Sequence, residues 1–270
     1  MTVVAVHGIW SRQSGVTPAA AAELLAVRWS DKLAAGYRDA GLTDPAPRLA
    51  AAYYAHLLDD QPPGADDPET LTPAEQSWAR EWMRQAGVPA ETAQAPAAPP
   101  LRQGLDWLAR HGDPDARTIG RIMTALLREV SGYRTRPGVR ERCRQIVMDA
   151  IDAAGARVVV AHSLGSVVAY EALCAHPERE VDLLLTLGLP GAVFDGLVPE
   201  PVGGRGRRPG GVRRWVNVAD PGDLVALPAE LGGRFPVDLH DTVHLGKVDF
   251  HTLGGYLSRG VTAAALHPYT

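Results

Sequence analysis

Three stretches of this chain, Thr2–Val6 (TVVAV), Arg157–Ala161 (RVVVA) and Val181–Leu187 (VDLLLTL), are short and apolar almost without interruption. A strand with one wetted face alternates apolar and polar residues, whereas a strand buried on both faces does not. Strands of the second kind need helices above and below them, which points to a parallel sheet with a helix between successive strands. The sequence between the runs supplies those helices. Thr17 is an N-cap residue with Pro18 at the first helical position, and Leu24, Leu25, Trp29 and Leu33 follow at helical spacing before Gly41. Arg48–His56 reads as the next strand, Gly138–Ala154 and Ser166–Ala175 as helices, Val212–Ala219 and Thr242–Leu245 as strands, and Tyr256–Leu266 as a closing helix. The fold class expected is therefore α/β, with a mainly parallel central sheet and helices on both faces.

Between residues 57 and 137 the alternation lapses. Asp59–Pro68 and Val88–Pro100 are rich in Pro, Ala, Asp and Gly and read as loops. Thr72-Pro73-Ala74-Glu75 is a capping box opening a helix that ends near Gly87, and Asp113-Pro114 opens another carrying Ile119, Ile122, Met123, Leu126 and Leu127. An all-helical block in an alternating chain is expected to be a cap inserted into one domain spanning residues 1–270. Two readings stand for Trp78, Trp82 and Trp107 with Leu101, Leu105 and Leu108: they line an acyl pocket, or they fasten the block to the sheet.

Composition removes several classes of function. The net charge is 27 − 31 = −4, which argues against a dedicated nucleic-acid binder. Arg205, Arg207 and Arg208, in the glycine-rich stretch Gly191–Gly211, read as a solvated face. No apolar run approaches the roughly 20 residues that a membrane helix needs. Thr2–Val6 is too short and uncharged for a signal peptide, so a cytoplasmic location is expected. Cys143 and Cys174 are too few for a disulfide framework and read as two buried, reduced thiols. Without an HExxH motif or a paired His/Asp cluster, neither a metal nor any other cofactor is expected.

The residues suited to chemistry sit where strands end. Ala161-His162-Ser163-Leu164-Gly165 follows one strand and runs into a helix. A serine at the tip of a strand-to-helix turn has an exposed hydroxyl, and the crowding of that turn demands small residues two before and two after it. Ala161 and Gly165 meet that demand. The string alone is weak; its place between strand and helix carries the reading. His7-Gly8-Ile9-Trp10 ends the first strand, and such a loop can offer a backbone N–H to a developing oxyanion. Ile9 and Leu164 are the expected donors, and Trp10 and His162 the expected substrate contacts.

A serine nucleophile needs a base, and the base needs an orienting carboxylate. Asp220 and Asp223 both follow the strand VRRWVNVA. Asp220 is placed to form the turn at Pro221-Gly222, which favours Asp223 as the acid without excluding Asp220. Among nine histidines, His7 suits the shaping of its own loop, and His111 and His176 sit at helix ends. His244 falls inside an apparent strand. His251 lies in a loop entering the last helix, the place for a base.

This constellation resembles the α/β-hydrolase family, and within it bacterial lipases and esterases and proteins related to GPI-inositol deacylases. The resemblance rests on His7-Gly8-Ile9, on Ala161–Gly165, on Trp215-Val-Asn217-Val-Ala-Asp220-Pro-Gly-Asp223-Leu-Val225, and on His251 with Tyr256. Alanine replaces the commoner first glycine of the elbow, and Ser166 stands where a second glycine is frequent. The resemblance implies an α/β-hydrolase fold and an ester hydrolase working through an acyl-enzyme. Its triad would be Ser163, His251 and Asp223, and its substrate a small-molecule or lipid-like ester. A thioesterase, a peptidase or amidase, and a silent hydrolase fold serving as a binding or effector module are the alternatives.

Overall fold

The computed structural model describes residues 1–58, 67–89, 92, 100–111, 115–191, 206–226, 231, 235–246 and 251–270. The predicted loop residues 59–66, most of the loop 88–100, Asp113-Pro114, Arg205 and Val248-Asp249-Phe250 lie outside them. Six strands form one all-parallel sheet: β1 (Thr2–Val6), β2 (Arg48–Ala52), β3 (Val158–His162), β4 (Val181–Leu187), β5 (Val212–Ala219) and β6 (Leu239–Thr242). Their order is β2-β1-β3-β4-β5-β6. The register pairs Val4 with Ala50 on one side and with Val159 on the other.

Alternate strand residues face two separate cores, as unbroken apolar runs require. Val4, Val6, Val159 and Ala161 pack beneath α4 (Ala116–Thr135), α5 (Val139–Ala154) and α6 (Leu164–Ala175). Val3, Ala5, Val158 and Val160 pack on the opposite face, against α1 (Pro18–Asp39), α7 (Leu253–Leu257) and α8 (Gly260–Leu266). Thr17 caps α1 through its side chain, and Thr72 and Glu75 close a full capping box on α2 (Pro73–Gln85). Each such cap is worth about 1 kcal/mol.

With α3 (Pro100–His111), α2 and α4 form a helical block whose own core holds Leu101, Leu105, Leu108, Met83, Ile119, Met123 and Leu127. The three leucines are therefore packing residues. Trp82 is buried with them, and Trp78 packs against both this core and the one beneath the sheet. Buried Glu171 of α6 ties α4 to the helices that cover the sheet: it accepts hydrogen bonds from Tyr133 Oη of α4 at 2.6 Å and from Arg140 Nε of α5 at 2.8 Å. No described helix is long and apolar enough to cross a membrane. Both cysteines are free thiols; Cys143 is buried, whereas Cys174 is only partly so.

Some boundaries differ from the sequence reading, and each shift has a cause. β2 stops at Ala52 because Tyr53 and Tyr54 leave the ladder to brace the loop after β1. β6 pairs over Leu239–Thr242, three residues before the predicted run. Val243 and Leu245 are apolar because they plug the core, and Leu245 N–H turns to Asp220 Oδ2 at 2.8 Å. The closing helix breaks between α7 and α8, where Gly260 lies against the Ala40 backbone and gives its amide to Asp39 Oδ2.

Candidate active site

The strand order decides where a site can form. After β1 the chain builds β2 on one side, then returns through β3 to the other, so the switch of direction falls between β1 and β3. Open parallel sheets hold their crevice at such a point, beyond the carboxyl ends of the strands. The loop His7-Gly8-Ile9-Trp10 and the elbow at Ser163 leave from these two ends. They fit tightly: a Cβ on Gly8 would stand 2.6 Å from Ser163 Cβ, and one on Gly165 only 2.3 Å from the His7 carbonyl oxygen. Both positions need glycine for that contact alone.

Ser163 has φ +52° and ψ −130°, a conformation side chains avoid. Its amide donates to Leu187 O of β4 at 3.0 Å. Ser166, standing where a second glycine is frequent, donates from Oγ to Ala161 O at 2.9 Å and so closes the turn from within.

Ser163, His251 and Asp223 form one hydrogen-bonded chain. Ser163 Oγ is 2.8 Å from His251 Nε2, and His251 Nδ1 is 2.7 Å from Asp223 Oδ2. All three residues are buried. An acidic acceptor at Nδ1 puts the ring proton there and leaves Nε2 free to accept from the serine hydroxyl. Asp223 is held by four donors. Tyr256 Oη and the ring nitrogen reach Oδ2, while the amides of Val225 and Ala226 reach Oδ1 at 3.0 and 3.4 Å. Burial, reinforced by the Asp223 carboxylate, pushes the Tyr256 hydroxyl well above its ordinary pKa, so it stays a donor.

The neighbouring acid has a different task. Asp220 takes the Gly222 amide on Oδ1 and the Leu245 amide on Oδ2, each at 2.8 Å, and so shapes the turn between β5 and the loop bearing Asp223. His244, by contrast, is largely exposed, with Nδ1 3.8 Å from Asp220 Oδ1. His240 sits on β6, where Nε2 accepts the Leu231 amide at 2.9 Å.

His7 braces its own loop. Its Nε2 accepts the Tyr54 amide at 3.0 Å, so its proton lies on Nδ1, 2.8 Å from the Gly8 carbonyl oxygen. Tyr54 Oη donates back to the His7 carbonyl oxygen at 2.6 Å. Burial lowers the His7 pKa to about 4, which keeps the ring neutral at ordinary pH. Among the described residues neither the Ile9 amide nor the Leu164 amide has an intramolecular acceptor. Leu164 is the first residue of α6, where helix amides are left without a partner. Trp10 is half exposed at φ +60°. His162 is buried with its ring centroid 4.8 Å from that of His251, and burial drives its pKa well below the usual value.

Only three described residues other than glycine have positive φ: Trp10, Ser163 and His251. Each such conformation costs about 1–3 kcal/mol and persists only where the surroundings over-determine it. That all three fall in this cluster is an indication of function independent of residue type. Sequence reasoning did not find Tyr54, whose partner His7 lies 47 residues away, and it noted Tyr256 beside His251 without its bond to Asp223. It also missed two hydrogen bonds from the helical block: Glu129 Oε1 of α4 accepts the Trp10 amide at 3.1 Å, and Trp82 Nε1 of α2 donates to Leu224 O at 2.8 Å.

A cavity of about 620 Å³ lies elsewhere in the block, lined by Arg102, Arg117, Arg121, Asp67 and Asp106 among others, and no member of the cluster borders it. Comparison of the chain with protein-family models, with curated proteins and with solved structures found no match.

Proposed function

We propose that the chain is a serine hydrolase of the α/β-hydrolase type, cleaving a carboxylic ester of a small-molecule or lipid-like substrate. The unbroken hydrogen-bonded chain from Ser163 through His251 to Asp223 carries this reading. Ser163 Oγ attacks the ester carbonyl as its proton passes to His251 Nε2, and Asp223 stabilises the imidazolium that results. The carbonyl oxygen gathers negative charge beside the unengaged amides of Ile9 and Leu164. Collapse of this intermediate breaks the ester C–O bond, and His251 returns the proton to the departing alcohol. Water, activated by the same imidazole, then hydrolyses the acyl-serine and frees the enzyme.

Turnover of nitrophenyl esters of graded chain length, beside matched thioesters and anilides, tests the proposal. Ester hydrolysis is expected to fall on the order of 10⁶-fold in Ser163→Ala. Equal turnover by wild type and Ser163→Ala would remove the serine from the chemistry. A preference for thioesters or anilides would keep the nucleophile and replace the substrate class.

A further inference from the structure

Trp10 presents a physical problem. A bulky residue is held in the left-handed region with its side chain half exposed, so packing of the indole cannot hold the turn alone. Hydrogen bonds must share the task. Ser11 Oγ and His7 Nδ1 both engage the Gly8 carbonyl oxygen, at 3.1 and 2.8 Å, and the Gln13 amide meets Tyr53 Oη at 3.0 Å. These hold the two ends of the turn. At its apex the Trp10 amide donates to Glu129 Oε1 at 3.1 Å, a contact from 119 residues along the chain.

The Trp10 amide belongs to the peptide unit immediately after Ile9. The Ile9 N–H lies one peptide earlier, in one plane with the Gly8 carbonyl that Ser11 and His7 hold, so anchoring the Trp10 amide restrains the two Ile9 torsions between the held units. We propose that Glu129 is a positioning residue: from α4 it anchors the Trp10 amide and, together with Ser11 and His7 on the Gly8 carbonyl, steadies the Ile9 N–H that receives the oxyanion. The catalytic part of this inference rests on the hydrolase reading above. A carboxylate beside a developing negative charge opposes it, so the useful property of Glu129 is its acceptor geometry rather than its charge. Glutamine keeps an acceptor oxygen at the same reach without the charge, and alanine removes it.

Two measurements on wild type, Glu129→Gln and Glu129→Ala separate the possibilities, with thermal melting to establish that each variant is folded. Amide hydrogen exchange in the peptide covering residues 7–13 is expected to quicken in Glu129→Ala and to stay near wild type in Glu129→Gln. Ester turnover is expected to lose about tenfold in kcat in Glu129→Ala with KM little changed, the value of one hydrogen bond, and to be retained in Glu129→Gln. Unchanged exchange and kcat in Glu129→Ala would overturn the proposal, as would Glu129→Gln failing in the same way as Glu129→Ala. Altered exchange in a protein whose wild type hydrolyses none of the esters would uphold the anchoring of the loop and strike instead at the hydrolase reading.

Discussion

The loops at the carboxyl edge of the sheet and the helical block beside them are built on opposite principles. The loops hold Trp10, Ser163 and His251 in conformations that side chains avoid, each braced by hydrogen bonds from elsewhere in the chain. The block contains no such residue among those described. It is capped by Thr72 and Asp115 and filled with leucine, isoleucine and methionine. Strain is concentrated around the Ser163 hydroxyl and the unengaged amides of Ile9 and Leu164, and the block supplies ordinary packing from which Glu129 and Trp82 reach across. If that division is right, substitutions in the loops change chemistry far more than stability, and substitutions in the block do the reverse.

The largest contrast lies between two aspartates three residues apart. Asp223→Asn keeps the shape of the loop but favours the wrong tautomer of His251, and a loss of about 10⁴-fold in kcat is expected. Asp220→Asn retains an acceptor for the turn and is expected to lose far less. Ester kinetics on both variants check this; equal losses would mean that Asp220 shares the work.

In the block, Leu108→Ala removes a side chain buried in a core remote from the serine. It is expected to cost about 3 kcal/mol by denaturant unfolding, with any ester turnover by the folded protein close to wild type. A kcat that falls in step with stability would dissolve the contrast.

Much of the loop side of this comparison was legible in the sequence. The apolar runs required a doubly covered sheet, and the small residues around Ser163 marked a tight turn because backbone and side chains nearly touch there. Asp220 was read as a turn former because Pro221-Gly222 follows it, and its Oδ1 does accept the Gly222 amide. The block was legible only as helices. Whether Trp82 and Leu105 faced a pocket or a core depended on how α2, α3 and α4 meet, and no local pattern records that. The bonds to Trp10 and Leu224 span 119 and 142 residues, so nothing in either segment announces its partner. β6 was misplaced for a related reason: apolar alternation reports burial, and Val243 and Leu245 are buried although the ladder register ends at Thr242.

Acid sharpens the comparison further. The folded protein holds His7 with a pKa of about 4, below the ordinary 6.5, because the ring is buried. As pH falls the unfolded chain takes up this proton first. The stabilisation is therefore complete above pH 6.5 and drains away as pH drops toward 4, by about 3 kcal/mol for this residue. Stability measured across that window should show a slope that shrinks in His7→Gln relative to wild type. An identical slope in both would mean that His7 is not buried as a neutral ring. The smallest effect belongs to His244, whose imidazole is largely exposed. His244→Ala should leave both melting and ester turnover unchanged, within about 0.5 kcal/mol.

The most direct test of Ser163 as an activated nucleophile is peptide mapping of the adduct formed with a fluorophosphonate, in wild type and in Ser163→Ala. A phosphonate on the peptide that carries Ser163, absent from the folded Ser163→Ala protein, is the result expected. A folded wild type that stays unlabelled, or a label on any other residue, would contradict it.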